Sequence, residues 1–264
     1  MVERIVVGID GSSPSAAALV WAVKRSRATH PELVLVHVVD DEWGELGPEY
    51  AAELERAGHG LLAEAHGAAE ASGAPVRVAL ELGSPASKLA DAARSGDLLV
   101  IGSHKTGYVR GRVLGTRSVV VASLSRSSVV VIPEDNLAHR QGVVVGVVPG
   151  ADCHAAIVAG ASEAQALHQE LTLIHCAPDR PEAVEAGRSL LAAAVELALT
   201  TAPGIVVRRR MSHRACSDTL LDASRSAALL VLGASRGGTN RPGSIGSVTH
   251  EVLLNLTSAV MVAR

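Results

Sequence analysis

The sequence predicts an α/β fold built on parallel sheets, and three observations carry this prediction. Short aliphatic runs alternate with alanine-rich stretches of helical length, which is the pattern of repeated βαβ units. The aliphatic runs are continuously apolar, as strands covered on both faces are. The chain has no Phe and only two Trp and two Tyr among 264 residues. Val, Leu, Ile and Ala must therefore fill the core.

The elements of the first half follow from this alternation. Strands are predicted at 4–9, 33–39, 76–81, 98–102 and 128–132, and helices at 14–28, about 49–72, 85–94 and 116–125. Ser13 is expected to cap the first helix, with Pro14 as its first residue, and Ser84 and Pro85 do the same for the third. Sheets of this kind bind ligands at the carboxyl ends of their strands, where the strand order reverses.

An internal repeat organises the chain. The segment 4–8 returns at 142–146, and 32–37 returns at 170–175, with the same offset along the chain. The segment 98–103 returns at 229–234, where the offset is smaller, so the second copy is shorter between its second and fourth strands. Matching blocks in matching order predict two domains of one fold.

The predicted domains are 1–136 and 141–264. A polar stretch with one proline, 133–140, joins them. Because this linker is short, the two domains are expected to be close neighbours.

Composition excludes several classes of protein. The net charge is −3 and no basic stripe is present, which argues against a nucleic-acid binder. No apolar run approaches the roughly 20 residues that span a bilayer, and the start enters a strand directly, without a signal peptide. The three cysteines, too few for a disulfide framework, are interpreted as buried small apolar residues in a reducing compartment. We expect a soluble cytoplasmic protein.

The loop after the fourth strand, 102–118, carries the strongest chemical signal. It is rich in glycine and runs into a helix whose first turn holds Thr116 and Ser118. Free N–H groups at a helix start, hydroxyl donors and nearby basic side chains suit phosphate oxygens. The ordinary alternative is a glycine-rich turn with a Ser/Thr cap and solvated arginines. Neither G-x-x-x-x-G-K-[ST] nor G-x-G-x-x-G is present.

These features together resemble the universal stress protein family. A first strand ending VGIDGS at 7–12, a second ending VHVV at 36–39, a GSP turn at 83–85 and the loop at 102–118 carry the resemblance, which extends over both halves. It implies two tandem five-stranded parallel-sheet domains of strand order 3-2-1-4-5, in the adenine-nucleotide-binding α/β superfamily. Many members dimerise through the fifth strand, and tandem members pair their own two halves in this way.

One subgroup of the family binds ATP through G-x2-G-x9-G-[ST]. The resemblance implies that Asp10 and Val38 contact the adenosine part, while Gly102 and Gly115-Thr116 supply the ends of the motif. Lys105 replaces the second glycine, where it either fills space that the triphosphate needs or supplies a cation to it. The implied site in the first copy comprises Ile9, Asp10, Val38, Ile101, Gly102, His104, Lys105, Gly115, Thr116, Arg117 and Ser118.

The second copy departs further from the motif. Its frame of Gly233, Gly246, Ser247 and Thr249 is retained, but Arg236 stands at the second glycine. Val148 stands where the first copy has Asp10, which removes an adenine contact. This copy is expected to hold ATP less readily, to hold phosphate without base selectivity, or to be structural only.

Other chemistry-bearing residues have ordinary interpretations. His37 and His175 occupy the same place in both copies and are expected to be packed, hydrogen-bonded residues. Cys153 begins a helix, where a thiol pKa can fall, although an inert cysteine is the common case. The run Arg208-Arg209-Arg210 is typical of a charged domain edge, although it could also serve an acidic ligand or partner.

Two hypotheses for function follow. No nucleophile–base motif, carboxylate pair, H-E-x-x-H or C-x-x-C pattern is present, so a binding module is predicted and not an enzyme, with no metal beyond nucleotide-bound Mg²⁺. The first hypothesis is adenine-nucleotide binding in stress response, mainly through the first domain. The second is a nucleotide-free tandem scaffold, with Lys105 and Arg236 closing both pockets. It would act through intramolecular pairing of the fifth strands, homodimerisation and protein partners.

Overall fold

The computed structural model describes residues 2, 4–40, 48–70, 72–103, 108–109, 112–113, 116–134, 139–234 and 244–264. The chain divides into two compact units, unit 1 (Met1–Glu134) and unit 2 (Asp135–Arg264). Helices alternate with mostly parallel strands in both, so the predicted α/β class is confirmed. The division falls after Glu134, slightly before the predicted end of the first domain.

Unit 1 has its five principal strands in a parallel sheet of order β3-β2-β1-β4-β7. Ile5 pairs in register with Leu33 of β2 on one side and with Leu98 of β4 on the other. The elements are β1 (Arg4–Gly8), α1 (Ser13–Thr29), β2 (Glu32–Val39), α2 (Pro48–Glu70), β3 (Val76–Leu82), α3 (Pro85–Ala92), β4 (Leu98–Ser103), β5 (Tyr108–Val109), β6 (Arg112–Val113), α4 (Thr116–Leu124) and β7 (Ser128–Pro133).

Unit 2 repeats this order as β10-β9-β8-β11-β12, and all these neighbours are parallel. Val143 pairs with Leu171 of β9 and with Leu229 of β11. The elements are β8 (Val143–Val147), α5 (Ala151–Leu167), β9 (Leu171–Cys176), α6 (Pro181–Thr201), β10 (Val207–Ser212), α7 (Cys216–Ser224), β11 (Leu229–Gly233), α8 (Ser247–Leu254) and β12 (Ala259–Ala263).

The central strands form the core, as their aliphatic composition predicts. Most residues of β1 and β4, and of β8 and β11 in unit 2, are buried because helices cover both faces of the sheet. Side chains with 0% exposure include Val6, Val7, Leu33, Leu35, Leu99, Val100, Leu171, Leu173, Leu230 and Val231. The polar residues that follow these strands are therefore held by a rigid frame.

One local expectation was wrong, and another was confirmed in position only. Ser12, and not Ser13, is the N-cap of α1, and its Oγ accepts a hydrogen bond from Ser15 N at 3.3 Å. Gly11 (φ 77°) lets the chain turn one residue earlier. Ser84 is the N-cap of α3, but its hydroxyl makes no capping hydrogen bond.

A small antiparallel pair, β5 with β6, was not predicted in the loop after β4. Tyr108 pairs with Val113, and Val109 pairs with Arg112. The sequence signal was present, since two short β-forming segments flank a two-residue connection that contains Gly111. The glycine was interpreted as part of a phosphate loop or of an ordinary glycine-rich turn, and not as part of a hairpin.

Candidate functional site

Strands β1, β2 and β4 end at one edge of unit 1. β1 lies between β2 and β4, and parallel strands end at the same edge of a sheet. The strand order reverses at β1, which makes this edge a ligand crevice in open α/β sheets. Topology therefore brings Ile9, Asp10, Val38 and Gly102 to one place, as the sequence predicts.

Ile9 and Asp10 continue from the end of β1. Ile9 N donates to Val36 O at 2.8 Å, and the Ile9 side chain is buried. Asp10 is exposed, and its Oδ1 accepts hydrogen bonds from Ser12 N at 3.0 Å and Ser12 Oγ at 2.5 Å. Asp10 N donates to Ser15 Oγ at 3.3 Å. The start of α1 thus holds the carboxylate in place at the crevice while it remains open to solvent.

An apolar cavity of about 590 Å³ lies beside this turn, between the end of β2 and α2. Leu61 of the cavity wall also contacts the turn after β1, since a Cβ on Gly11 would lie 2.9 Å from Leu61 Cδ2. Val38 is half-buried in the wall. The complete lining is His37, Val38, Val39, Asp40, Tyr50, Leu54, Ala57, Gly58 and Leu61.

His37 fixes the geometry of the β2 end, and its predicted packed role is confirmed. Its Nδ1 lies 2.6 Å from Ile9 O, and because a carbonyl only accepts, Nδ1 donates. Gly58 of α2 makes room for the ring, since a Cβ there would lie 2.7 Å from His37 Cδ2. Sequence reasoning missed Gly58, although the repeat carried a signal, since Gly187 stands against His175 in the same way in unit 2.

Gly102 sits where the end of β4 touches the first turn of α1. A Cβ at this position would overlap the carbonyl group of Pro14 and lie 2.6 Å from Ser15 N. The glycine is thus needed for packing as well as being the predicted start of a phosphate loop. Ile101 immediately before it is buried in the core.

Ser118 and Arg117 lie in the first turn of α4. Ser118 Oγ and Ser103 Oγ are 3.2 Å apart, and both side chains are buried. This contact holds the start of α4 against the end of β4, while Arg117 is exposed. The predicted residues His104, Lys105 and Gly115 lie outside the described residues, and the side chain of Thr116 is likewise not described.

Unit 2 builds the same frame with different chemistry. Val148 N donates to Cys153 Sγ at 3.3 Å, in the place of the Asp10 N to Ser15 Oγ bond of unit 1. No carboxylate stands at position 148. Burial raises the pKa of Cys153 more than this backbone hydrogen bond lowers it, which supports the inert interpretation. His175 repeats the role of His37, with Nδ1 2.8 Å from Val147 O.

The retained motif residues of unit 2 hold β11 to α8. Thr249 Oγ1 donates to Gly233 O at 2.9 Å, and Thr249 is buried. Gly246 is the N-cap of α8, with Ser247 as its first residue, and Gly246 N donates to Ala234 O at 2.8 Å. Arg236 lies outside the described residues.

The interpretation of all three cysteines as buried apolar residues was wrong for two of them. Cys153 is buried, but Cys176 and Cys216 are half-buried and hydrogen-bond to each other. The repeat could have drawn attention to Cys176, which occupies in the second copy the position of Val38 in the first. Among the helices that the structure describes, none combines the length and hydrophobicity needed to cross a membrane.

The universal stress protein family model matches residues 1–133 of the sequence. This chain belongs to the universal stress protein family, so the resemblance stated from its motifs is confirmed.

Relatives and a solved structure extend the match over the whole chain. A universal stress protein of Mycolicibacterium smegmatis is 28% identical over 286 residues, covering 98% of this chain and 96% of the relative. One from Mycobacterium tuberculosis is 36% identical over 132 residues, covering 48% of this chain and 46% of the relative. The crystal structure of a universal stress protein from Archaeoglobus fulgidus covers 100% of this chain and 99% of its own, with a TM-score of 0.80 at 17% identity. That structural likeness concerns the fold.

Proposed function

We propose that unit 1 binds an adenine nucleotide, with ATP as the foremost candidate, at the carboxyl edge of its sheet. The observation that carries this proposal is that the exposed Asp10 carboxylate, the apolar cavity beside Val38 and the start of α4 lie at the edge where the strand order reverses. A ligand with one flat apolar part, hydrogen-bond donors and an anionic tail matches these three features.

Asp10 and the cavity would hold the adenosine part. The Asp10 carboxylate can accept hydrogen bonds from an amino group or from ribose hydroxyls. The apolar wall that includes Val38 suits the face of a base, since binding pockets are mostly apolar with a few placed polar groups. The hydrogen bond between His37 and Ile9 joins the end of β2 to the residue that follows β1.

The β4–α4 loop would hold the phosphates. β4 ends at Ser103, whose hydroxyl lies 3.2 Å from that of Ser118 in the first turn of α4, so the start of this helix lies at the same edge as Asp10. N–H groups at a helix start attract anions, and the exposed Arg117 adds positive charge. We propose that Lys105, in the same loop, contacts phosphate when nucleotide is bound.

We further propose that the two units are two tandem universal stress protein domains, each with the strand order 3-2-1-4-5. The shared strand order and the repeat of hydrogen bonds at Asp10/Val148 and His37/His175 support this. The protein would act as a nucleotide-responsive binding module in the cytoplasm, where ATP is abundant, and not as an enzyme. Pairing of the fifth strands and a homodimer are part of the same proposal.

The test is ATP binding by titration calorimetry on the full chain and on Asp10→Asn. Asparagine keeps an oxygen to accept from Ser12 N but removes the charge, so the turn is preserved. Loss of a charged hydrogen bond costs about 1.5–3 kcal/mol, and we expect affinity to fall by about 10- to 100-fold. Asp179→Asn, an exposed carboxylate in unit 2, serves as the matched control and should bind as the parent does.

If Asp10→Asn bound ATP with the same affinity as the parent, Asp10 would not be part of the nucleotide site, and the proposed location would be rejected. Absence of binding heat in the parent, with no nucleotide released on denaturation, would reject nucleotide binding and favour the nucleotide-free scaffold.

A further inference from the structure

Two thiols come together at the carboxyl edge of unit 2. Cys176 is the last residue of β9 and pairs in register with Ser212, the last residue of β10. Shortly beyond Ser212 the chain reaches Cys216, the first residue of α7. Both cysteines are half-buried, and their side chains hydrogen-bond to each other.

The surroundings favour a thiolate on Cys176. The hydrogen bond from Cys216 is the largest influence and, against the opposing effect of burial, brings the pKa of Cys176 down to about 7. The Thr219 hydroxyl and the charge of Arg210 act in the same direction. Thr219 is fully buried, and its Oγ1 lies 2.9 Å from Ser212 Oγ, so this donor is held rigidly.

The third cysteine has the opposite character. Cys153 is 4% exposed, and burial raises its pKa. Reactivity of a cysteine depends on thiolate character and access. Cys153 therefore provides an unreactive thiol within the same molecule.

The repeat indicates that the fold does not require this pair. Cys176 occupies the position that Val38 has in the first copy, and Cys216 begins α7 as Pro85 begins α3. At these two matching positions unit 1 has a valine and a proline, whereas unit 2 has two cysteines.

We propose that Cys176 and Cys216 form a reversible dithiol–disulfide site, with Cys176 as the attacking thiolate, Cys216 as the resolving thiol and a hydroperoxide as the oxidant. This site is independent of nucleotide binding in unit 1.

The chemistry balances with hydrogen peroxide. The Cys176 thiolate attacks one peroxide oxygen, the O–O bond breaks, and the departing hydroxide takes a proton to become water, which leaves a sulfenic acid on Cys176. The Cys216 sulfur then attacks the Cys176 sulfur, the S–S bond forms, and the sulfenic hydroxyl leaves with the Cys216 proton as a second water. Two thiols are oxidised by two electrons, and one peroxide is reduced to two waters.

The product is compatible with the frame of unit 2. A disulfide needs Cβ atoms about 3.5–4.5 Å apart, and the two side chains already contact each other at the same edge of unit 2. The bond would join the end of β9 to the start of α7 and close a loop that contains α6 and β10. Oxidation should therefore stabilise unit 2 against unfolding.

The test treats the reduced full chain with hydrogen peroxide and follows intact mass, free thiols and a peptide map. We expect loss of the mass of two hydrogens, one remaining thiol at Cys153, a Cys176–Cys216 peptide link, and full reversal by dithiothreitol. The map of the parent protein identifies the link without any variant.

Variants separate the two roles. Cys216→Ser should stop at a sulfenic acid on Cys176 that dimedone traps. Cys176→Ser should react at least about tenfold more slowly because the activated thiolate is gone. Cys153→Ser, the matched control, should form the bridge as the parent does. Three free thiols after treatment, a bridge that includes Cys153, a bridge between two chains, or irreversible oxidation without a bridge would each overturn the proposal.

Discussion

At Gly102, the end of β4 lies directly against the first turn of α1, and no side chain fits between them. Gly67, on the exposed side of α2, has nothing within 4 Å of the position its Cβ would take. The same residue type is therefore required by close packing at one position and is only a weak helix former at the other.

Gly102→Ala should destabilise unit 1, because the new Cβ would meet backbone atoms that cannot move aside independently. We expect a cost of about 1–3 kcal/mol, typical of overpacking. Gly67→Ala should instead stabilise by roughly 0.5–1 kcal/mol, since alanine restricts the unfolded chain and favours the helix. Both Trp residues lie in the first half of the chain, so urea unfolding followed by Trp fluorescence reports on unit 1. Equal stability of Gly102→Ala and the parent would contradict the packing argument.

Several predicted site residues also have structural partners. Ser118 bonds to Ser103, and Thr249 bonds to the carbonyl of Gly233, so each holds a helix start to a strand end. Asp10 bonds to Ser12. A motif match alone does not distinguish these structural bonds from ligand contacts, because the same hydroxyl or carboxylate can serve both.

At the scale of elements, an ion pair joins the start of β1 to the turn before β4. Asp97 is buried, and its Oδ1 accepts from Arg4 Nε at 3.1 Å. Its Oδ2 accepts from Arg94 N at 2.8 Å and also from Arg4 Nη2. The Lys88–Glu81 pair at 3.4 Å, between α3 and β3, is instead open to solvent. Burial, and not ion pairing itself, distinguishes the two.

Asp97→Asn should destabilise unit 1 by about 3 kcal/mol, because it leaves the partly buried Arg4 guanidinium without its counter-charge. Glu81→Gln should cost less than about 1 kcal/mol, as for exposed pairs in general. Chemical denaturation monitored by Trp fluorescence compares them directly. A similar loss of unfolding free energy in the two variants would show that burial of Asp97 does not strengthen its ion pair.

The element boundaries show which local signals were sufficient. The predicted bounds of β1, β2, β3, β4 and β7 agree with the structure to within one residue at each end. For β1, β4 and β7 the reason is burial, since a strand covered on both faces must be apolar along its length. The cap of α1 was misplaced by one residue, between the two consecutive serines at 12 and 13. The β5–β6 pair was missed because its residues also suited a phosphate loop.

At the scale of the whole molecule, the two units share one fold but differ in the side chains at the carboxyl edges of their strands. Unit 1 presents Asp10 and Val38 where unit 2 presents Val148 and Cys176. Burial and backbone bonding are alike in the two units, so side-chain identity at the strand ends decides their chemistry.

Calorimetric titration should therefore give one adenine nucleotide per chain. Unit 2 has no carboxylate at position 148 to select the base, and a thiol stands in place of the apolar contact at position 38. A saturating nucleotide at about 100 times its Kd should stabilise unit 1 by about 2.7 kcal/mol, measurable as a rise in Tm. Two equivalents per chain would show that Asp10 is not needed for binding at this type of edge.

The sequence by itself determined the α/β class, the repeat, the strand positions and the meeting of Asp10, Val38 and Gly102 at one edge. Those features follow from local periodicity and from the rule that parallel strands end together. Tertiary structure alone decided the fit of Gly58 against His37, the contact of Gly102 with α1, and the pairing of Cys176 with Cys216. These depend on packing between residues that are far apart along the chain, and such contacts leave no periodic trace in the sequence.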